Sequence, residues 1–118
     1  MGNREVIVKY SPGLDALYIW FVPKQKSKIV PQDAGYFFVY QSQDELKEVR
    51  GYEWLDFSYF VDEDGTVDMP IPEPRSLFNV QGTDLKGATL KEVVFWAYQK
   101  FVRKDQKHQL YQRGINSD

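Results

Sequence analysis

The sequence predicts an α+β fold: a four- or five-stranded antiparallel β-meander with one C-terminal α-helix packed on a face. Three observations carry that prediction. Short β-branched and aromatic runs punctuated by turn residues fill the first half of the chain. One amphipathic run with its own start signal lies near the C-terminus. Between them stands a proline-rich stretch that suits neither a helix nor an interior strand. The 118 residues fit one domain, and a 16% aromatic share supplies ample apolar surface for a core.

Residues 5–10 read as a first strand, because Val6, Ile7 and Val8 are β-branched. Ser11-Pro12-Gly13 is a turn, with proline presetting φ and glycine tolerating positive φ. A second strand over 15–22 is apolar on both faces, with Ala16, Tyr18, Trp20 and Val22 on one and Leu17, Ile19 and Phe21 on the other. A strand covered on two sides, or covered by a partner, has this composition. Pro23 to Pro31 holds three lysines and no periodicity, so it reads as a loop or ragged edge. The third strand is Tyr36 to Tyr40 and the fourth about Leu46 to Leu55. On the fourth, Arg50, Tyr52 and Trp54 point one way; Val49, Gly51, Glu53 and Leu55 point the other.

Residues 58–87 read as an extended strap containing the acidic turn Asp62-Glu63-Asp64-Gly65 and the prolines Pro70, Pro72 and Pro74. Leu77 to Val80 is a candidate further short strand. The helix belongs to 88–105. It opens on Thr89-Leu90-Lys91-Glu92, a capping box in which the threonine and glutamate side chains satisfy orphan amides reciprocally. Leu90, Val93, Val94, Ala97, Tyr98 and Phe101 form one stripe at i, i+3, i+4 spacing. Residues 106–118 are a polar tail.

The run Tyr10-Ser11-Pro12-Gly13-Leu14-Asp15-Ala16-Leu17-Tyr18-Ile19 resembles the opening signature of a family of short prokaryotic proteins, domain of unknown function 2283. That signature is a Tyr, a short turn, then Asp-Ala-Leu-Tyr-Ile. Val49-Arg50-Gly51-Tyr52-Glu53-Trp54-Leu55 is similar to the family's second signature at its Val, Gly, Glu and Leu. The resemblance covers residues 5–57 and departs at the Gln41 to Glu45 connection, where the family carries an Asp/Gly-rich turn. It implies a small β-meander domain and brings no activity or catalytic residue with it.

Composition excludes much chemistry. With no cysteine there is no disulfide, thiolate zinc site or cysteine nucleophile, which fits a reducing, cytoplasmic setting. No run approaches the 18 or so apolar residues of a membrane span. His108 is the single histidine and lies in the tail, so Ser11, Ser42 and Ser58 have no second histidine as base, and no metal-ligand spacing exists. The acidic turn fails as a calcium loop: Gly65 at position 6 puts Phe60 at 1 and Ile71 at 12. Gly82 and Gly87 lack phosphate-loop spacing. No cofactor is expected. Residues 1–85 carry 8 basic and 14 acidic side chains, and 86–118 carry 7 and 3. The basic helix could meet a polyanion, but the acidic remainder argues against nucleic acid, and a solvated face is the simpler reading.

Two groups of side chains remain as binding candidates. Asp15 and Glu53 are either a carboxylate pair at an aromatic cleft or two structural acids, Asp15 holding backbone amides and Glu53 pairing with a cation on a neighbouring strand, Lys9 being one candidate. Trp96 lies off the helix stripe beside Lys100 and Arg103, either an edge covered by the strap or a cation-flanked anchor. With Trp20 and Trp54 on the sheet, the aromatic excess exceeds what one helix covers. The expectation is a small non-enzymatic protein-interaction module, self-associating as a homodimer or paired with a small protein. The alternative is a small-molecule-binding protein or minor enzyme using the cleft near Asp15 and Glu53.

Overall fold

The computed structural model describes residues 3–33, 35–61 and 70–103, with the side chains of Asp33 and Arg103 left aside. The acidic turn at 62–65, His108 and the tail lie outside the described residues. Strands β1 (Arg4–Ser11) and β2 (Ala16–Phe21) form the antiparallel hairpin expected around the Pro-Gly turn, in register from Val6↔Phe21 to Ser11↔Ala16. Asp15 closes that turn at φ 51, a conformation that short polar side chains tolerate.

Three further strands follow: β3 (Lys28–Asp33), β4 (Phe37–Gln41) and β5 (Val49–Trp54). The stretch expected to be loop or ragged edge therefore contains a strand. Its Pro31 has no N–H to donate, and an edge strand tolerates that because only one side of it is paired. The short β6 (Phe78–Val80) adds to β1 in parallel. The six strands lie in the order β3-β4-β5-β2-β1-β6. The fold is α+β with a mostly antiparallel sheet, but the meander is interrupted. After β2 the chain crosses to the far edge, and β5 rather than β3 returns to pair with β2.

A one-turn helix α1 (Phe57–Phe60) follows β5, and α2 (Leu90–Ala97) supplies the predicted C-terminal helix. The capping box forms as expected: Thr89 Oγ1 accepts from the Glu92 amide at 3.2 Å, and Glu92 Oε1 accepts from the Thr89 amide at 3.0 Å. Beyond Ala97 the backbone widens into a π-helical segment, Tyr98–Arg103. A π turn takes more residues per revolution. Val102 accordingly joins Tyr98 in the core, while Phe101, the last residue of the predicted stripe, is only half-buried.

One sheet face carries the core. Leu17, Ile19, Phe21, Tyr52 and Trp54 from the sheet meet Phe57, Leu90, Val94 and Tyr98 from the helical layer. The strap lies on this same face: Ile71 packs against the core, and Trp54 Nε1 donates to Pro70 O at 3.0 Å. Helix and strap thus cover one side together. No described element crosses the other.

Candidate functional site

The uncovered face is built by alternation. Every second residue of each strand points away from the helices, and the registers set those residues in rows. One row runs Lys9, Tyr18, Glu53, Phe38, Pro31 across β1, β2, β5, β4 and β3. The next runs Ile7, Trp20, Gly51, Tyr40, Ile29. Tyr18, Trp20, Phe38, Tyr40 and Glu53 are half-buried by one another, and Ile29 is 49% exposed. None of them belongs to the core cluster.

Gly51 decides how the rings lie. A Cβ there would sit 2.6 Å from Ile19 O and 2.8 Å from Trp20 Cδ1, so the indole rests on bare backbone. Trp20 then packs beside Tyr18, with ring centroids 5.3 Å apart, and edge-on to Tyr40 at 6.5 Å and 78°. Two ammonium groups face the indole, Lys24 Nζ at 3.8 Å from the ring centroid and Lys9 Nζ at 5.8 Å. Trp20 Nε1 is buried and has no hydrogen-bond acceptor.

Glu53 occupies the middle of the face. Tyr40 donates its phenolic proton to Glu53 Oε1 at 2.5 Å. Burial, the hydrogen bond to Glu53 and that carboxylate's charge push the Tyr40 phenol far above its usual value, and burial with the Glu53 charge raises Tyr18. The expected pairing of Glu53 with a cation on a neighbouring strand, Lys9 being one candidate, is not found among the described residues. Lys9 turns to the Trp20 ring, and the ion pair found among the described residues joins Arg50 and Glu48 at 3.3 Å.

Asp15 stands elsewhere. Its carboxylate accepts from Tyr10 OH at 2.6 Å, from the Ser58 amide at 3.0 Å and from Ser58 Oγ at 2.7 Å. Tyr10 in turn packs on Phe57 and Phe101, so this network belongs to the helical side. Asp15 anchors α1 to the β1–β2 turn, as the structural reading expected of a side chain bonded to backbone amides, although the amide is 43 residues away rather than in the turn. The structure brings Trp20 and Glu53 together and leaves Asp15 on the other side of the sheet.

Trp54 is 1% exposed and its N–H is committed to the strap, so it offers nothing to a surface partner. Trp96 is half-buried against Phe101, five residues on, at a centroid distance of 6.0 Å, the spacing a π turn brings into contact. Lys100 Nζ lies 5.0 Å from the Trp96 ring and is exposed. Arg103 ends the π segment, and its side chain is outside the described residues. A cavity of about 310 Å³ lies between the strap and the start of α2, lined by Ile71, Pro72, Glu73, Pro74, Thr89, Leu90 and Lys91. Neither Asp15 nor Glu53 lines it.

Sequence reasoning did not single out Tyr18, Lys24, Tyr40 or Gly51 as site residues. Alternation alone places Tyr18 beside Trp20. That Glu53 and Tyr40 join them depends on β5 pairing with β2, which no local signal reports. No protein-family model, curated protein or solved structure matches this chain.

Proposed function

We propose that this domain is a non-enzymatic interaction module that associates with a second copy of itself through the open aromatic face. The observation that carries the reading is the pair of cross-strand rows centred on Trp20, Tyr40 and Glu53, which no described element covers. Charge favours a second copy as occupant. The face holds a carboxylate at its middle and the lysines Lys9 and Lys24 to one side, so it is complementary to itself in sign. The sheet edges are poorer candidates. Edge strand β3 carries Pro31 and a register shift before Asp33, and β6 is three residues long. The resemblance of residues 5–57 to domain of unknown function 2283, and a cytoplasmic setting consistent with the absence of cysteine, belong to the same proposal.

The test is oligomeric state by light scattering across a dilution series. A concentration-dependent dimer is expected. Phe38→Glu, which sets a second carboxylate directly across from Glu53, is expected to yield a folded monomer destabilised by about 0.2–1 kcal/mol through that cross-strand repulsion. A wild-type chain that stays monomeric at high concentration would sink the reading.

A further inference from the structure

We propose that the Trp20 indole and the Glu53 carboxylate together form a receptor for an alkylammonium head group, with Lys24 as the resident cation that a ligand displaces. The inference deepens the reading of the open face and rests on that face being accessible, but it does not require a second copy.

Three features point to a cation. An indole face carries negative electrostatic potential and is the best of the aromatic rings at holding an ammonium. This one already does so, with Lys24 Nζ 3.8 Å from its centroid. The chain therefore displays the contact that a ligand would make, from a lysine in the loop just after β2. Glu53 is the second feature. Its carboxylate is half-buried among phenols and receives the Tyr40 hydroxyl, yet no cation lies within ion-pair distance among the described residues. A carboxylate removed from water gains most from a counter-charge. The third feature is layout. Tyr18↔Glu53 and Trp20↔Gly51 are cross-strand pairs, so Trp20 and Glu53 are diagonal neighbours, roughly 7–8 Å apart. One compact head group can touch the ring and the carboxylate at once. Gly51 lets the indole rest on bare backbone, and Tyr40 stands at 78° to the ring as a wall.

The unpartnered Trp20 N–H adds a detail about the ligand class. A donor buried without an acceptor is unfavourable. A ligand bearing an oxygen near its ammonium group could supply that acceptor once Lys24 has moved.

Choline is a suitable probe, and 3,3-dimethylbutan-1-ol is its uncharged counterpart of the same shape. The readout is the indole N–H resonance of Trp20, assigned by its loss in Trp20→Phe. Choline chloride is expected to shift that resonance saturably, beyond the effect of sodium chloride at equal ionic strength. The neutral alcohol is expected to bind at least about tenfold more weakly, because it lacks the cation–π and carboxylate contacts. Glu53→Gln keeps the side-chain shape and an acceptor for Tyr40 and should weaken choline binding severalfold. Lys24→Ala removes the resident cation and should strengthen it about two- to fivefold.

No saturable shift with choline, or equal shifts with the alcohol, would overturn the proposal. Weaker binding in Lys24→Ala would overturn the role given to Lys24. A second copy and the ligand compete for this face, so choline is titrated at dilutions where light scattering gives a monomer. A monomer that binds choline keeps the receptor whether or not a dimer forms on concentration; a monomer indifferent to choline, in which Lys24→Ala is indifferent too, removes the receptor and leaves the association standing.

Discussion

At Gly51 the absence of a side chain shapes a surface. The indole of Trp20 could swing aside for an added methyl group, but Ile19 O, 2.6 Å from the position of that Cβ, is fixed by the sheet. Gly51→Ala is therefore expected to cost about 1–3 kcal/mol, the usual penalty for overpacking. The check is the urea midpoint, with the Trp20 indole resonance shifting in the same variant. Asp15 offers the complementary case, a side chain whose charge is used locally. Its φ of 51 suits asparagine as well as aspartate, so Asp15→Asn removes the carboxylate without straining the backbone. Tyr10 OH, Ser58 Oγ and the Ser58 amide would then face an amide group that cannot accept from all of them. A loss of about 1–3 kcal/mol in denaturant unfolding is expected, with oligomeric state and choline binding unchanged. A variant that keeps full stability but loses binding would return Asp15 to a functional role.

Among the elements, α2 is the one whose start is written most plainly in the chain, and its cap can be tested directly. Thr89→Ala is expected to lower stability by about 1 kcal/mol through loss of the bond from the Glu92 amide. The Thr89 amide and hydroxyl hold the Glu92 carboxyl below its usual 4.5. A depressed carboxyl stabilises the fold above its unfolded value and loses that contribution as pH falls. Wild type should therefore lose part of its stability on acidification below about pH 4.5, and Glu92→Gln should flatten that slope. The sequence is legible here because a capping box is local, and for the same reason the β1–β2 hairpin and the alternation of β2 and β5 are legible. Strand β3 is legible only as a loop or ragged edge, since Pro31 and the lysines mark it so and its pairing with β4 is what makes it an edge strand. The π segment is hidden because Leu90 to Phe101 satisfies an α period and packing chooses Val102 instead. Of the candidate site, Trp20 and Glu53 were visible as residues. Their adjacency was not, because it depends on a crossover that puts β5 rather than β3 beside β2.

For the whole molecule, the tyrosines tie stability, and the proposed association with it, to alkaline pH. Burial pushes the Tyr52 phenol in the core up to about 12, from 10.0. Tyr40 and Tyr18 on the open face are raised by burial and by Glu53. A phenol with a raised folded-state pKa contributes stability that is complete below about pH 10 and is lost as pH climbs towards the folded value, because the unfolded chain ionises first. Unfolding should therefore become easier from about pH 10 upward, and Tyr52→Phe should retain more of its stability there than wild type. Association adds a second linkage. If a second copy covers the face, it removes Tyr40 and Tyr18 further from water and raises their pKa values in the dimer above those in the folded monomer. Ionising them must then favour the monomer. That linkage acts only as pH approaches the raised values of the folded monomer, so the dimer should persist into the range above pH 10 where unfolding first becomes easier, and high protein concentration should move its dissociation upward in pH. Light scattering and near-UV circular dichroism, recorded together across the titration, separate the two events. Tyr40→Phe should shift dissociation to higher pH while leaving the Tyr52 contribution to unfolding in place. A dissociation midpoint that Tyr40→Phe leaves unmoved would show that the Tyr40 phenol does not lie at the interface, and would count against association through that face.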